Sequence, residues 1–341
     1  MRETLSAEAF LSESIRGIMI DVRSPSEYQA GHIPGAHSLP LFTDAERAEV
    51  GTLYTRVGKN EAIERGLAIV GPKMARFVQT ARKQAAGKTL YVYCWRGGMR
   101  SGSMAWLFRT AGMSAVVLEG GYRAYRRLFA PLLAAKPWQF FILGGFTGCG
   151  KSDVLRAMAR KGEQVLDLEA LANHKGSVFG ALGQEEQPTT EEFINRIHAS
   201  LRRFDPAQPV WIEGESQTIG HVVVPVELYR MMQSAPLVLF SLDPEARLQR
   251  LVREYGAFST EELAAAFAKI AKRLGDGYPR ALQSLEAGDT AGAARIAMHY
   301  YDKCYTRSIG KENHSFREFF MPEDDPERAA ELLIEKFRKI K

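Results

Sequence analysis

The chain has 341 residues, of which 45% are hydrophobic and 25% are charged, and this size and composition are typical of a soluble protein with about two domains. Three widely spaced cysteines exclude a disulfide framework, and no apolar run approaches the length that crosses a membrane, so we expect a cytoplasmic protein. The net charge of +5 permits a nucleic-acid partner but does not require one.

The first predicted elements are a strand and a turn-rich segment. Residues 17–22 form a short apolar run, which predicts a strand ending near Asp21. A Ser-Pro pair then starts a helical turn, and Gly and Pro residues mark the turns that follow. Residues 41–86 are long for a connection, and we interpret them as an inserted pair of helices that either covers a site or is structural padding.

A lone cysteine follows the next predicted strand. Residues 89–93 are apolar, Cys94 comes directly after them, and helical spacing resumes from Ser101. Arg96 and Arg100 lie in the intervening loop, together with a pair of glycines that permits a tight turn. Loop amides, the helix dipole and the two guanidinium groups all favour a thiolate and an anion beside it, which makes these three residues candidates for catalysis. A buried structural cysteine is the alternative, but packing alone does not explain the two glycines and two arginines.

Strands alternate with helices throughout this half of the chain. A further strand and glycine turn at residues 115–122 follow the predicted helix after Cys94. This alternation predicts an α/β fold with a mainly parallel sheet, in which the loops at the carboxyl ends of the strands hold the site.

The motifs of the first half resemble those of a rhodanese domain. This resemblance extends over residues 1–133. The matching positions are Asp21, Arg23, Tyr28, residues 31–36, Cys94 and residues 119–122. The resemblance implies that Cys94 carries a sulfur or selenium atom. The loop departs from the family pattern, because Arg100 follows Cys94 by six positions instead of five. That spacing is also the phosphate-binding signature of cysteine phosphatases, so our hypothesis is a donor that carries a phosphate-sized group.

A second domain is predicted for residues 134–341, after a Pro-containing joint at residues 131–137. An apolar strand at residues 138–143 precedes a glycine-rich loop and a helix, which is the setting that a phosphate-binding P-loop requires. Backbone amides would surround a phosphate, the lysine would neutralise its charge, and the serine would hold a magnesium ion. The candidate phosphate-binding residues are Gly145, Gly148, Gly150, Lys151 and Ser152.

Acidic side chains follow two further predicted strands. Residues 164–169 and 210–215 are apolar runs that contain or end in carboxylates, and we expect Asp167, Glu213 and Glu215 near the phosphate site. They would bind magnesium or act as an acid or base. Equally, they would cap strand ends or pair with arginines.

Basic residues in two segments are candidates for a lid or an RNA contact. His174 and Lys175 lie in a short glycine-punctuated loop. Arg247, Arg250 and Arg253 are spaced by three residues in the helix after a strand at residues 236–242, so they share a helix face that either covers the phosphates or is solvated.

The segment from about residue 259 is predicted to be helical. Its basic residues, which include Lys269, Lys272 and Arg273, would contact an RNA backbone or form an ordinary solvated face.

A rhodanese-like domain before a P-loop domain resembles the tRNA 2-selenouridine synthase family. The further matching motifs are residues 94–101, 173–180 and 213–220. The resemblance implies an enzyme that acts on 2-thiouridine at the wobble position in the anticodon region of tRNA. Geranyl diphosphate would first alkylate the sulfur, and selenium from selenophosphate would then replace the geranylthio group. It also implies that Cys94 accepts selenium as a selenosulfide, that selenophosphate synthase acts as a donor partner, and that an apolar channel holds a ten-carbon chain.

Two alternatives of another class remain open from the sequence. One is an ATP- or GTP-dependent kinase or NTPase with a regulatory rhodanese module. The other is a sulfurtransferase or cysteine phosphatase that uses Cys94, although the histidine that usually precedes the phosphatase cysteine is missing here.

Overall fold

Two parallel sheets with packed helices organise the described residues, 3–309 and 316–338 of the computed structural model. The chain divides into the units Met1–Ala134 and Ala135–Lys341.

In the first unit the sheet has the strand order β1-β5-β4-β2-β3, and neighbouring strands are parallel. The strands are β1 (Thr4–Leu5), β2 (Ile18–Asp21), β3 (His37–Ser38), β4 (Leu90–Tyr93) and β5 (Ala115–Leu118). The helices are α1 (Ala7–Ser14), α2 (Pro25–Ala30), α3 (Asp44–Arg56), α4 (Lys59–Val70), α5 (Met74–Ala85), α6 (Met99–Thr110), α7 (Gly121–Arg126) and α8 (Phe129–Ala134). The predicted α/β class and the mainly parallel sheet are confirmed.

The prediction of a helical pair in residues 41–86 was wrong, because this segment forms the three helices α3, α4 and α5. A capping box between Thr43 and Glu46 starts α3, Gly58 separates α3 from α4, and a 3-10 turn at Gly71–Lys73 separates α4 from α5. The amphipathic α5 buries Phe77 and two alanines in the core beside the sheet, so part of this segment belongs to the fold itself.

In the second unit the sheet has the strand order β12-β11-β6-β8-β7, again with parallel neighbours. The strands are β6 (Gln139–Gly145), β7 (Gln164–Leu166), β8 (Pro209–Glu213), β9 (Thr218–Ile219), β10 (Val222–Val223), β11 (Leu237–Leu242) and β12 (Phe316–Met321). The helices are α9 (Lys151–Arg160), α10 (Leu168–Ala172), α11 (Thr190–Leu201), α12 (Val226–Ser234), α13 (Pro244–Tyr255), α14 (Thr260–Ala268), α15 (Ala271–Leu274), α16 (Gly277–Glu286), α17 (Thr290–Ile309) and α18 (Pro326–Arg338).

One prediction for this unit was wrong, and a second was incomplete. The strand expected at residues 164–169 ends at Leu166, because the Asp167 carboxylate accepts the amide of Ala170 (2.8 Å) and starts α10. The C-terminal segment also contains a strand, β12, which pairs in parallel with β11 and is mostly exposed. Among the described residues, no helix is both long enough and apolar enough to cross a bilayer.

Candidate functional site

Cys94 lies directly after β4, and only 3% of its surface is exposed. Its Sγ lies 3.2 Å from the Oγ of Ser101, which is in the first turn of α6. The Ser101 hydroxyl also contacts the carbonyl oxygen of Gly98 (3.3 Å). The thiol is therefore held at a helix N-terminus with a hydroxyl beside it, a position that favours a nucleophile and an anion.

Glycines make the loop around Cys94 fit against the loop after β5. Gly97 and Gly121 have positive φ values of 67° and 61°, and a Cβ on either residue would collide with backbone atoms of the facing loop. The amide of Tyr122 donates to the carbonyl oxygen of Cys94 (2.8 Å). The glycine pairs at residues 97–98 and 120–121 thus allow the backbones of the two loops to contact each other directly.

The two loop arginines have different surroundings. Arg96 is exposed, whereas Arg100 donates to Glu27 with Nη1–Oε2 and Nη2–Oε1 distances of 2.6 and 3.2 Å. Burial acts to raise the pKa of Glu27, but the hydrogen bonds and charge of Arg100 outweigh it and lower that pKa. An anion that binds beside Cys94 must therefore compete with Glu27 for Arg100.

A buried ion pair supports this site from the neighbouring strand. Arg23 and Asp21 are almost fully buried, with an Nη2–Oδ2 distance of 2.7 Å, and Arg23 also donates to the carbonyl oxygen of Gly31 (2.6 Å). The guanidinium lies over the ring of Tyr122, 3.9 Å from its centroid. The motif residues Asp21 and Arg23 therefore fix the loops around the cysteine.

The predicted P-loop connects β6 to α9 and borders a cavity of about 440 Å³. Lys151 Nζ donates to the carbonyl oxygen of Gly145 (3.0 Å), and the amide of Gly145 donates to the hydroxyl of Tyr305 (2.6 Å). Gly150 has a φ of 80°, and a Cβ there would contact the guanidinium of Arg250. Gly148 also lines the cavity. Tyr305 was missed by the sequence analysis, because it comes from α17, far along the chain.

Carboxylates crowd the serine of the P-loop. The Oγ of Ser152 lies 2.9 Å from Oε2 of Glu169 and 2.6 Å from Oε1 of Glu213. The amide of Glu169 also donates to Glu213 (3.2 Å). A hydroxyl has one proton to donate, so both contacts are satisfied when one of the carboxyl groups is protonated and donates to Oγ.

Burial, together with the neighbouring carboxylates, raises the pKa of these acids. The pKa of Glu169 rises to about 7, and burial with the charge of Glu169 raises the pKa of Glu213 well above its ordinary value. Burial raises the pKa of Glu215, which lines the cavity, to about 7 although Lys151 acts to lower it. Burial also acts to lower the pKa of Lys151, but neighbouring acidic groups outweigh it, so the lysine remains charged.

Other predicted site residues have structural partners. Asp167 caps α10 and lies 3.7 Å from Arg156, so we expect no direct role for it in catalysis. His174 is buried, and burial lowers its pKa. Lys175 lines the cavity and forms an ion pair with Glu254.

The three arginines of α13 have separate environments. Arg247 is buried, donates to the P-loop carbonyl oxygen of Thr147 (3.0 and 2.9 Å) and pairs with Asp302. Arg250 lines the cavity. It forms ion pairs with Asp153 and Asp324. The exposed Arg253 also pairs with Asp324. Arg247 therefore braces the P-loop, and Arg250 is the member of the trio that faces the cavity.

A second, smaller chamber of about 50 Å³ adjoins the P-loop cavity and is almost entirely apolar. It lies among α13, α14, α16 and α17. The residues that line both the cavity and the chamber are Thr147, Ser177, Leu251, Tyr255 and Tyr301.

The donor chemistry beside the P-loop suits a hard cation. Within the described residues, no group of three or more His, Cys, Asp or Glu side chains is arranged to hold a metal ion. Ser152 and its two carboxylate neighbours nevertheless supply oxygen ligands of the kind that Mg²⁺ prefers when phosphate oxygens complete the site.

Comparisons with known proteins agree with the division of the chain. Residues 138–335 match the family described as "tRNA 2-selenouridine synthase AAA domain", and residues 6–128 match the "Rhodanese-like domain" family. Among solved structures, the N-terminal domain of a putative ATP/GTP binding protein from Clostridium difficile is 40% identical, covers 37% of this chain and 97% of that chain, and has a TM-score of 0.35.

Curated relatives extend the similarity over most of the chain. A tRNA 2-selenouridine synthase from Bordetella petrii is 41% identical over 70% of this chain and 64% of its own length. Relatives of the same name from Bordetella bronchiseptica and Shewanella denitrificans are each 36% identical, over 84% and 86% of this chain and 87% and 89% of their own lengths.

Proposed function

Because the chain belongs to the tRNA 2-selenouridine synthase family, we propose that it converts 2-thiouridine at the tRNA wobble position to 2-selenouridine in two stages. Geranyl diphosphate alkylates the sulfur, and selenium from selenophosphate then replaces the geranylthio group. The observation that carries the proposal is one chain with both a P-loop cavity and a buried thiol at a helix N-terminus. Alkylation comes first because an alkylated thiol leaves a carbon centre more readily than a thiocarbonyl sulfur does.

In the first stage the P-loop holds the diphosphate leaving group. The thiocarbonyl sulfur attacks C1 of the geranyl group, the C1–O bond breaks, and its electron pair leaves with the diphosphate. The charged Lys151 stabilises the charge that develops on the leaving oxygen. The N3 proton of the base goes to Glu215, whose pKa of about 7 and place in the cavity wall suit a general base.

A magnesium ion is compatible with this stage. Ser152 and Glu169 would hold it with the phosphate oxygens, and the bound ion would neutralise charge on the diphosphate. The fully buried Glu213 would act through Ser152, since it contacts that hydroxyl directly.

In the second stage the Cys94 loop binds selenophosphate, with Arg96 and Arg100 on its phosphate oxygens. The thiolate attacks the phosphorus of the singly protonated donor, the P–Se bond breaks, and hydrogen selenide anion leaves with the bonding electron pair and the donor's proton. Hydrogen selenide then adds to C2 of the base, its proton passes to N3, and geranylthiolate leaves. Water hydrolyses the phosphocysteine and regenerates Cys94.

This route replaces the selenosulfide that the rhodanese resemblance implies. Selenium has the same oxidation state in selenophosphate and in 2-selenouridine, so phosphoryl transfer needs neither an oxidant nor a reductant. Formation of a selenosulfide on Cys94 would need an oxidant, and the later release of its selenium would need a reductant. The spacing of Cys94 and Arg100, and the Ser101 hydroxyl 3.2 Å from the sulfur, also suit an attack on phosphorus.

Monothiophosphate separates the two routes, because intact-protein mass spectrometry distinguishes a gained phosphoryl group from a gained sulfur atom. We expect the phosphoryl adduct on the wild-type protein and on Cys304→Ser, whose cysteine is exposed, but not on Cys94→Ser. Gain of one sulfur atom on Cys94 would refute the phosphoryl route and restore the persulfide type of intermediate.

The proposal includes the partners and the location of the reaction. The tRNA would bind through its anticodon arm, with the basic segment that contains Lys269, Lys272 and Arg273 on its phosphates. Selenophosphate synthase would supply the selenium donor, and the reaction would take place in the cytoplasm, where tRNA is modified.

Nucleoside mass spectrometry on 2-thiouridine RNA tests the two-stage function. With both co-substrates present, Cys94→Ala should accumulate the S-geranyl nucleoside, and Lys151→Ala should make neither product. Cys304→Ala and Lys161→Ala are matched controls, since Lys161 lies in a surface ion pair. If the wild-type protein alkylates no RNA but hydrolyses ATP or GTP without RNA, the kinase or NTPase alternative replaces the proposal.

A further inference from the structure

Four helices, the P-loop and the loop that contains Phe179 line the apolar chamber beside the P-loop. Leu263 and Phe267 come from α14, Leu285 from α16, Ala293 from α17, and Phe179 from the loop that also borders the P-loop cavity. All five are buried. The chamber is thus a preformed gap in the apolar cluster of the helical region, directly beside the space where the diphosphate would lie.

The polar atoms near the boundary are already engaged. The hydroxyl of Tyr301 accepts the amide of Val178 (3.1 Å), and the hydroxyl of Ser177 accepts the amide of Phe179 (3.2 Å). A nucleoside base or ribose placed in the chamber would leave its own polar groups without hydrogen bonds, which disfavours its binding there. Burial of a hydrocarbon tail in the same place is favourable, because it removes apolar surface from water.

We propose that this chamber holds the far isoprene unit of the prenyl chain whose diphosphate occupies the P-loop, and that its end wall sets the chain length. The inference rests on the proposed function, because it gives a binding place to the hydrocarbon tail of the alkyl donor in that reaction. The diphosphate and the first isoprene unit lie in the larger cavity, and the second unit passes the shared residues Leu251 and Tyr301 into the chamber.

The size of the chamber limits the length of the prenyl chain that fits. A single water needs roughly 10–15 Å³ of space for its centre to move in. A chamber with about 50 Å³ of such space has room for about four water-sized groups. This space is comparable with one isoprene unit of five carbons and falls well short of the ten carbons of two units. Phe179 and Phe267 close the wall with their rings edge-to-face, 5.0 Å between centroids, so a third unit would have to displace a buried aromatic ring.

Ala294→Leu tests the assignment by filling the chamber from α17. Ala294 is half-buried and lines the chamber, while Ala291, one turn away and also half-buried, is the matched control as Ala291→Leu. The assay compares S-alkylation of 2-thiouridine RNA by geranyl and dimethylallyl diphosphates. We expect Ala294→Leu to lower the ratio of geranyl to dimethylallyl transfer by about tenfold or more, because a filled apolar pocket rejects the extra carbons.

Phe267→Leu tests the end wall in the opposite direction. The smaller side chain should allow transfer from farnesyl diphosphate, which the wild-type protein should use poorly. Thermal unfolding and calorimetric binding of inorganic diphosphate establish that each variant is folded with an intact P-loop. An unchanged preference for chain length in both folded variants would overturn the inference alone. Absence of alkylation by the wild-type protein with every diphosphate would instead refute the proposed function.

Discussion

The raised pKa of Glu215 makes the stability of the protein depend on pH in a direction that can be worked out. The folded-state pKa is about 7 against an ordinary value of 4.5, because burial disfavours the carboxylate. Between these two pH values the folded protein holds a proton that the unfolded chain has released. The stabilising contribution is therefore complete below about pH 4.5 and is lost as pH rises through 7. At about 1.4 kcal/mol per pKa unit, the loss is about 3 kcal/mol.

Glu215→Gln removes this titration while it retains the size of the side chain. We expect the free energy of unfolding of the wild-type protein, measured with urea through tryptophan fluorescence, to fall as pH rises from 5 to 8. In Glu215→Gln the fall over this pH range should be smaller by about 2.5 kcal/mol, so the variant gains relative stability at the higher pH. The exposed Glu227→Gln is the control and should follow the wild-type curve. If Glu215→Gln also follows it, the carboxyl group is not held protonated and the proposed general base loses its support.

Three further substitutions test contacts on which the two sites depend. Tyr305→Phe removes the hydroxyl that accepts a P-loop amide, so we expect a few-fold rise in the KM for geranyl diphosphate with little change in unfolding, measured by steady-state kinetics. Asp21→Asn leaves the buried charge of Arg23 without its partner and should destabilise the first unit by about 3–5 kcal/mol in thermal unfolding; a change below 1 kcal/mol would contradict the role of the pair. Glu27→Gln releases Arg100 and should tighten binding of inorganic phosphate about fivefold by calorimetry, whereas weaker binding would show that Glu27 positions the arginine.

Local patterns in the sequence predicted the positions of the P-loop and of the loop that contains Cys94. The P-loop is a contiguous motif whose strand, glycines and helix specify the backbone, and the setting of Cys94 between β4 and α6 follows from an apolar run and a helical repeat. The parallel sheets also followed from the alternation of strands and helices. These features need only neighbouring residues to be recognised.

Contacts between distant segments could not be predicted in this way. Tyr305 reaches the P-loop from α17, and Glu27 reaches Arg100 across 73 residues. Asp167 was placed on a strand because the apolar run hid the capping signal, and β12 was missed because its exposed, charged pattern is not typical of a buried strand. The apolar chamber is built from six separate segments, so no single stretch of sequence describes it.

In the proposed function the P-loop serves alkylation and Cys94 serves selenium transfer. The most direct test supplies RNA that already carries S-geranyl-2-thiouridine, together with selenophosphate, and measures 2-selenouridine by nucleoside mass spectrometry. Lys151→Ala should form 2-selenouridine at nearly the wild-type rate, because the step that needs its charge is already complete, while Cys94→Ala should form none. If Cys94→Ala forms 2-selenouridine at the wild-type rate, or if Lys151→Ala forms none although it is folded, the division of labour between the two sites is wrong.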